Sequence, residues 1–189
     1  MADLRVLYFD RPGPRNTAAT LEAVALRVSE LGIGQIVVAS NTGATALAAA
    51  RCMPHLRRIV GVTEHAGWWG TDTPPDPAII SEAERAGVRV LTCSHPLMGG
   101  VDWAVYKQHR GLPEGHLIAR TYYTFSQGFK VAVECALMAA DAGLLDLSED
   151  AVTVAGTGKG ADTALIMRPA HTDRWFDLRV REILAMPRM

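Results

Sequence analysis

The segment IVVASNTGATALAAARC, residues 36–52, carries the clearest structural signal in the chain. Its first four residues, 36–39, form an uninterrupted apolar run, which is typical of a strand buried inside a parallel sheet. A loop of small polar residues follows, and the alanine-rich stretch 44–52 favours a helix. A strand, a short loop and a helix in this order indicate an α/β architecture.

The same alternation of apolar runs and amphipathic segments extends in both directions from this segment. Gly32 and Gly143 are expected to end helices, and Gly128 to mark a kink or a close contact within the longest helical pattern. The tail 176–186 fits a strand or a helix equally well. The expected strands are 4–9, 36–39, 59–62, 88–92, 152–155 and 163–167, and the expected helices are 17–31, 44–52, a short one ending at 86, and 116–142.

The composition indicates a globular chain that forms a single domain over residues 1–189. Hydrophobic residues make up 49% and charged residues 21% of the chain, and the formal net charge is −1. Since there is no basic surplus and no apolar run of membrane-spanning length, we expect neither nucleic acid nor a membrane as a partner. Three cysteines far apart fit no disulfide framework or zinc pattern, which favours a reducing, cytoplasmic location.

One candidate binding site is the loop that follows the strand 36–39. Parallel sheets bind ligands beyond the carboxyl ends of their strands, and a helix N-terminus favours phosphate. Three hydroxyls, an amide and a glycine are more than a helix cap needs, so we interpret the loop as a phosphate site. A capped helix without a ligand is the alternative. The candidate residues are Ser40, Asn41, Thr42, Gly43, Ala44 and Thr45.

A second candidate is the glycine loop after the strand 152–155. Its sequence GTGKGA, 156–161, has the spacing of a dinucleotide fingerprint, but a strand rather than a helix is predicted after it and only 28 residues remain. It is no Walker A loop, because a glycine follows Lys159 where Ser or Thr is required. Backbone N–H groups and the lysine favour an anion, and a tight turn is the alternative. The candidate residues are Gly156, Thr157, Gly158, Lys159, Gly160, Ala161 and Asp162.

Other polar and aromatic residues lie just beyond predicted strand ends. His65 and His95 are candidates for acid/base work on one shared ligand, and His65 is also a candidate cofactor-binding residue, although a lone histidine is more often structural. The pair Trp68-Trp69 is interpreted as a lid for a ring system or an oligomer contact. Glu134, one helical turn after Lys130, indicates a buried ion pair, with contact to a ligand as the alternative. No spacing resembles a metal site.

These residues resemble the C-terminal α/β domain of pyruvate kinase and, over nearly the whole chain, the small stand-alone proteins of that fold. The resemblance implies a three-layer α/β/α sandwich with a mostly parallel, mixed sheet of about five strands. The stand-alone family lacks the catalytic barrel, so kinase activity is not implied, and its reported association is with flavin mononucleotide (FMN). The positions that carry the resemblance are 36–46, Pro54, 59–63, Pro12-Gly13, Asn16-Thr17, His65, Gly67, 127–128, 130–131, Glu134, 138–139, 141–143, 155–158, 160–164 and 176–178.

The resulting hypothesis is a cytoplasmic binding protein for a phosphorylated small molecule, with FMN as the leading cofactor. The alternatives are an enzyme acting on a phosphorylated metabolite, with His65 or His95 as acid/base, and an effector-sensing regulatory subunit. We also expect a homo-oligomer, because the second half of the helix 116–142 is apolar on nearly all faces and exposed aromatic residues favour contacts.

Overall fold

The computed structural model describes residues 5–188, and within them a seven-stranded sheet is covered by helices on both faces. The strand order is β1-β7-β6-β5-β2-β3-β4. The strands are β1 Leu7–Phe9, β2 Gln35–Ala39, β3 Arg58–Thr63, β4 Val88–Thr92, β5 Ala151–Ala155, β6 Thr163–Arg168 and β7 Arg179–Pro187. The α-helices are α1 Thr17–Leu31, α2 Ala44–Cys52, α3 Pro77–Arg85, α4 Gly100–His109, α5 Glu114–Tyr123 and α6 Gln127–Asp141.

The sheet is mostly parallel, and β6 is its antiparallel member. Strand β2 pairs in parallel with β3 and β5, β3 with β4, and β1 with β7. Strand β6 runs antiparallel to both β5 and β7, because the glycine loop returns the chain directly from β5. The predicted three-layer α/β/α class is confirmed, and the sheet has seven strands in the described residues rather than about five.

The alternation of side chains along each strand separates the two layers of the core. Ile36 and Val38 of β2 face a cluster that also holds residues of α1, α2 and α3. Val37 points to the other face, where it packs with residues of α6, and Phe129 and Ala119 of α6 and α5 belong to a neighbouring cluster. Helix α4 has no buried residue and contributes to none of these clusters.

The long helical pattern 116–142 is two helices, which corrects the expectation of one. The break falls at 124–126, where the Ser126 hydroxyl caps α6 by accepting a hydrogen bond from the Phe129 N–H at 2.9 Å. Gly128 marks a close contact, since a Cβ there would lie 2.3 Å from Thr163 Oγ1. The ambiguous tail forms β7, and Leu4 of the first predicted strand lies outside the described residues.

Two expectations from composition can be compared with the structure. No helix within residues 5–188 is both long and apolar enough to cross a membrane. The three cysteines are free thiols: Cys52 is exposed, Cys93 half-buried and Cys135 buried.

Candidate functional site

A cleft of about 620 Å³ lies across the carboxyl ends of the central strands. It is bounded by the loops after β2, β3, β4 and β5 and by one side of α6. Pockets for small organic ligands commonly have volumes of about 300 to 1,000 Å³. The cleft therefore has room for a ligand the size of a mononucleotide.

Most of the predicted site residues line this cleft, and some lie behind it. Those that line it are Ser40, Asn41, Thr42, Ala44, Thr45, His95, Gly156, Gly158, Lys159 and Gly160. Those that do not line it are Gly43, His65, Thr157, Ala161 and Asp162. The structure thus brings the β2 loop and the glycine loop together, although they are more than a hundred residues apart in sequence.

Two hydroxyls of the loop after β2 form hydrogen bonds with the first turn of α2. Ser40 Oγ accepts a hydrogen bond from the Ala46 N–H at 3.1 Å, and Thr42 Oγ1 accepts one from the Ala44 N–H at 3.3 Å. These two hydroxyls are therefore capping groups of α2, so fewer polar groups of the loop are surplus to the cap than its sequence indicates. Each keeps its own proton for donation to a ligand.

The glycine loop is held in place from behind by Asp162. This fully buried carboxylate accepts hydrogen bonds from the Gly13 N–H at 2.9 Å and the Thr157 N–H at 3.1 Å. The Ala161 N–H donates to Thr17 Oγ1 at 2.9 Å, which joins the loop to the start of α1. Asp162 thus positions the loop, and Lys159 is left exposed at its tip.

Three helix N-termini face the same cleft. Thr17 at the start of α1, Ala44 at the start of α2 and Gln127 at the start of α6 all line it. The first N–H groups of a helix lack partners within the helix, and its dipole places partial positive charge there. The arrangement concentrates positive potential around the glycine loop. Some N–H groups of these first turns already have acceptors, since those of Ala46 and Phe129 donate to Ser40 and Ser126.

The α6 side of the cleft carries a buried ion pair. Glu134 Oε1 accepts hydrogen bonds from the backbone N–H groups of Leu97 at 2.9 Å and Met98 at 3.0 Å. Its other oxygen pairs with the Lys130 ammonium. The predicted ion pair is present, and both of its side chains also line the cleft.

His95 lies beside this ion pair, with its Nδ1 3.6 Å from Glu134 Oε2. Burial lowers the pKa of His95 to about 4, and the attraction of the Glu134 charge opposes that effect without overcoming it. The imidazole is therefore neutral near pH 7, and the contact with Glu134 is a polar one rather than an ion pair.

Aromatic rings form the far wall of the cleft. Trp68 and Trp103 line it, with ring centroids 6.1 Å apart. His65 packs behind them at 4.5 Å from Trp68 and 5.3 Å from His95, and Trp69 turns away to donate to the Glu64 carbonyl. Of the predicted tryptophan pair, only Trp68 reaches the cleft.

Two further carboxylates, Glu64 and Asp72, line the cleft and were not predicted as site residues. Burial raises the pKa of Glu64, and the nearby Asp72 charge raises it further. The position of Glu64, directly after the strand-ending Thr63, was the available signal. Among the described residues, no group of three or more His, Cys, Asp or Glu side chains could hold a metal ion.

A mixed, mostly parallel sheet with helices on both faces and a cleft at its carboxyl edge is an α/β domain. Residues 18–167 match the family described as the pyruvate kinase alpha/beta domain. The chain belongs to this family. The matched region runs from α1 to β6 and includes both the β2 loop and the glycine loop.

Proposed function

We propose that the chain binds a phosphorylated small molecule, with the phosphate between the loop 40–45 and the glycine loop 156–160. The observation that carries the proposal is the convergence of three helix N-termini on one cleft, beside the exposed Lys159. Helix N-termini and glycine-rich loops bind phosphate through backbone N–H groups, and a lysine adds a charge-assisted hydrogen bond. The match is to the α/β domain, and pyruvate kinase activity is not part of the proposal.

FMN is the ligand we propose first. The loops after β5 and β4 are separated by three strand spacings, about 14 Å in a sheet, so an elongated ligand anchored at the glycine loop would extend to Trp68 and Trp103. The volume of about 620 Å³ and the aromatic wall fit a phosphate-bearing ring system. Bound FMN would supply redox chemistry, while these residues orient its ring and phosphate.

The enzyme alternative receives less support from the geometry. His65 does not line the cleft, and His95 has a pKa of about 4, too low for an efficient general acid near pH 7. An effector-sensing subunit would use the same cleft for binding and requires a protein partner as well.

Titration of inorganic phosphate, riboflavin and FMN tests the proposal. We expect phosphate and FMN to bind, and FMN to quench tryptophan fluorescence because two tryptophans line the cleft. Phosphate soaked into crystals is expected between the two loops. Density elsewhere with this cleft empty contradicts the phosphate site, and absence of FMN binding at tens of micromolar contradicts FMN alone.

A further inference from the structure

The lysines of this chain are distributed unlike its arginines. The sequence has 16 arginines and only three lysines, Lys107, Lys130 and Lys159. Within residues 5–188, two of these lysines line the cleft and no arginine does. Lys107 lies outside the cleft on α4, 5.8 Å from the Trp103 ring. The cationic side chains of the cleft are therefore lysines, although arginine is much more common in this chain.

Lys130 is buried to an extent that needs an explanation. Its side chain is 4% exposed, although it lines the cleft. The ammonium pairs with Glu134 and lies 6.0 Å from the centre of the Tyr123 ring. Glu134 has a structural role of its own, since it holds the backbone N–H groups of Leu97 and Met98.

The ion pair with Glu134 uses only part of the hydrogen-bonding capacity of Lys130. An ammonium has three N–H donors, and the carboxylate takes one. No second acceptor for the Lys130 Nζ is found among the described residues. Leaving a buried donor without a partner costs about 1 to 3 kcal/mol, so the remaining N–H groups of Lys130 are available to water or a ligand in the cleft.

The position of Lys130 complements that of the phosphate loops. Helix α6 packs on the face of the sheet opposite to α2. A ligand held at the glycine loop and at the start of α2 would therefore cross the strand ends to reach Lys130. The charges of Lys130 and Glu134 balance, and the neighbouring His95 is neutral, so this side of the cleft suits an uncharged oxygen better than a second anion.

We propose that Lys130 is a second ligand-binding residue, which donates to a carbonyl or hydroxyl oxygen on the organic part of the ligand. The ligand class is then a monophosphate whose organic part carries uncharged oxygen acceptors. This inference rests on the proposed function and adds to it a side-chain contact from α6, on the face of the sheet opposite to α2. FMN, with ring carbonyls and a hydroxylated chain, is a suitable probe of both contacts.

The side-chain nitrogens of three lysines can be observed separately by NMR in protein labelled with ¹⁵N-lysine. Lys→Arg variants at each position assign the signals. We expect inorganic phosphate to shift the Lys159 Nζ signal alone, and FMN to shift both Lys159 and Lys130. Lys107, outside the cleft, is the internal control for the phosphate titration and should not respond to phosphate. With FMN it reports on the neighbouring Trp103 ring instead.

A double variant, Lys130→Met with Glu134→Gln, adds a measurement of affinity. It removes both charges together, so no buried charge is left unpaired, and the glutamine oxygen still accepts from Leu97 and Met98. We expect about tenfold weaker FMN binding, the effect of losing one hydrogen bond to a charged donor, and phosphate binding within about twofold of wild type.

The outcomes separate the two proposals. If FMN binds and shifts Lys159 while Lys130 stays unchanged, the Lys130 inference is wrong and the phosphate site stands. Equal weakening of phosphate and FMN in the double variant also contradicts it, because Lys130 would then act on the phosphate or on the fold. If neither phosphate nor FMN binds the wild-type protein, both proposals fail.

Discussion

Lys159 is the residue on which the phosphate proposal can be tested most simply. Its side chain is exposed at the tip of the glycine loop, so truncation should leave the fold intact. We expect Lys159→Ala to weaken phosphate binding by about 1 to 2 kcal/mol, the scale of a charge-assisted hydrogen bond. Calorimetric titration measures the change. The matched control is Lys107→Ala, an equally exposed lysine outside the cleft, and equal affinities in the two variants would mean that Lys159 faces solvent.

Asp162 fixes the conformation of the same loop and does not contact the ligand itself. Asp162→Ala leaves the N–H groups of Gly13 and Thr157 without their acceptor, so we expect a loss of about 1 to 3 kcal/mol in unfolding free energy and weaker phosphate binding. Urea denaturation and phosphate titration measure the two effects. Asp162→Asn keeps an acceptor oxygen and serves as the control. An alanine variant as stable as the asparagine variant would contradict the role of the carboxylate.

His95 is expected to make the folded protein less stable at acid pH. Its pKa is about 4 in the folded protein and about 6.5 when unfolded, so the unfolded chain binds the extra proton first as pH falls. Stability should be unaffected by His95 above pH 6.5 and should fall between pH 6.5 and 4, by up to about 1.4 kcal/mol per pH unit. The residues that shift this pKa besides burial are Glu134, Lys130 and His65.

Urea denaturation of wild type and His95→Gln across this pH range measures the contribution of His95 as a difference. The comparison removes the parallel effect of His116, whose pKa is also lowered by burial. We expect a shallower pH dependence in the variant. Identical slopes would show that His95 is protonated equally in the folded and unfolded states.

Among the elements, α6 packs closely against the start of β6 through Gly128. Alanine is a better helix former than glycine by about 1 kcal/mol, but a Cβ at Gly128 would lie 2.3 Å from Thr163 Oγ1 and 2.9 Å from Asp162 Oδ1. We expect Gly128→Ala to lower the melting temperature, since overpacking costs about 1 to 3 kcal/mol. Gly70→Ala is the control, as a Cβ there meets nothing within 4 Å. A more stable Gly128 variant would mean that the contact relaxes freely.

The elements differ in how well the sequence predicted them, and burial is the reason. Strands β2, β3, β5 and β6 were predicted to within one residue at each end, because strands buried on both faces are continuous apolar runs. Helix α4 was not predicted, because a helix with no buried residue has no apolar period to detect. The break between α5 and α6 was missed because apolar periodicity resumes immediately after the Ser126 cap.

The parts of the site that lie within one short loop could be predicted from the sequence. The loops 40–45 and 156–160 were found from their glycines and hydroxyls, and both line the cleft. The contribution of α6 to the cleft depends on where that helix crosses the sheet, and this follows from the pairing of β2 with β5, over a hundred residues later. Nothing local to Lys130 distinguishes a ligand contact from an ion pair.

At the scale of the whole molecule, the apolar faces of α6 no longer support the prediction of a homo-oligomer. Twelve of the fifteen residues of α6 are buried within the chain, so its apolar faces are already covered and do not call for a partner. Exposed apolar side chains remain elsewhere, among them Val101 at 79%, Leu117 at 55% and Phe176 at 82%. We still predict an oligomer, and light scattering should give at least twice 20.4 kDa. A mass near 20.4 kDa at micromolar concentration would contradict it.

The strand order has a consequence for synthesis on the ribosome. Strand β1 pairs with β7, and one edge of β2 pairs with β5, so these two pairings wait until the second half of the chain has been made. A nascent chain ending after β4 would expose the open edge of β2 and the sheet face that α6 later covers, which carries Val37, Val60 and Val62. Such surfaces favour aggregation and recruit chaperones. Because Asp162 must reach back to Gly13, the glycine loop reaches its final geometry only after most of the chain has been made.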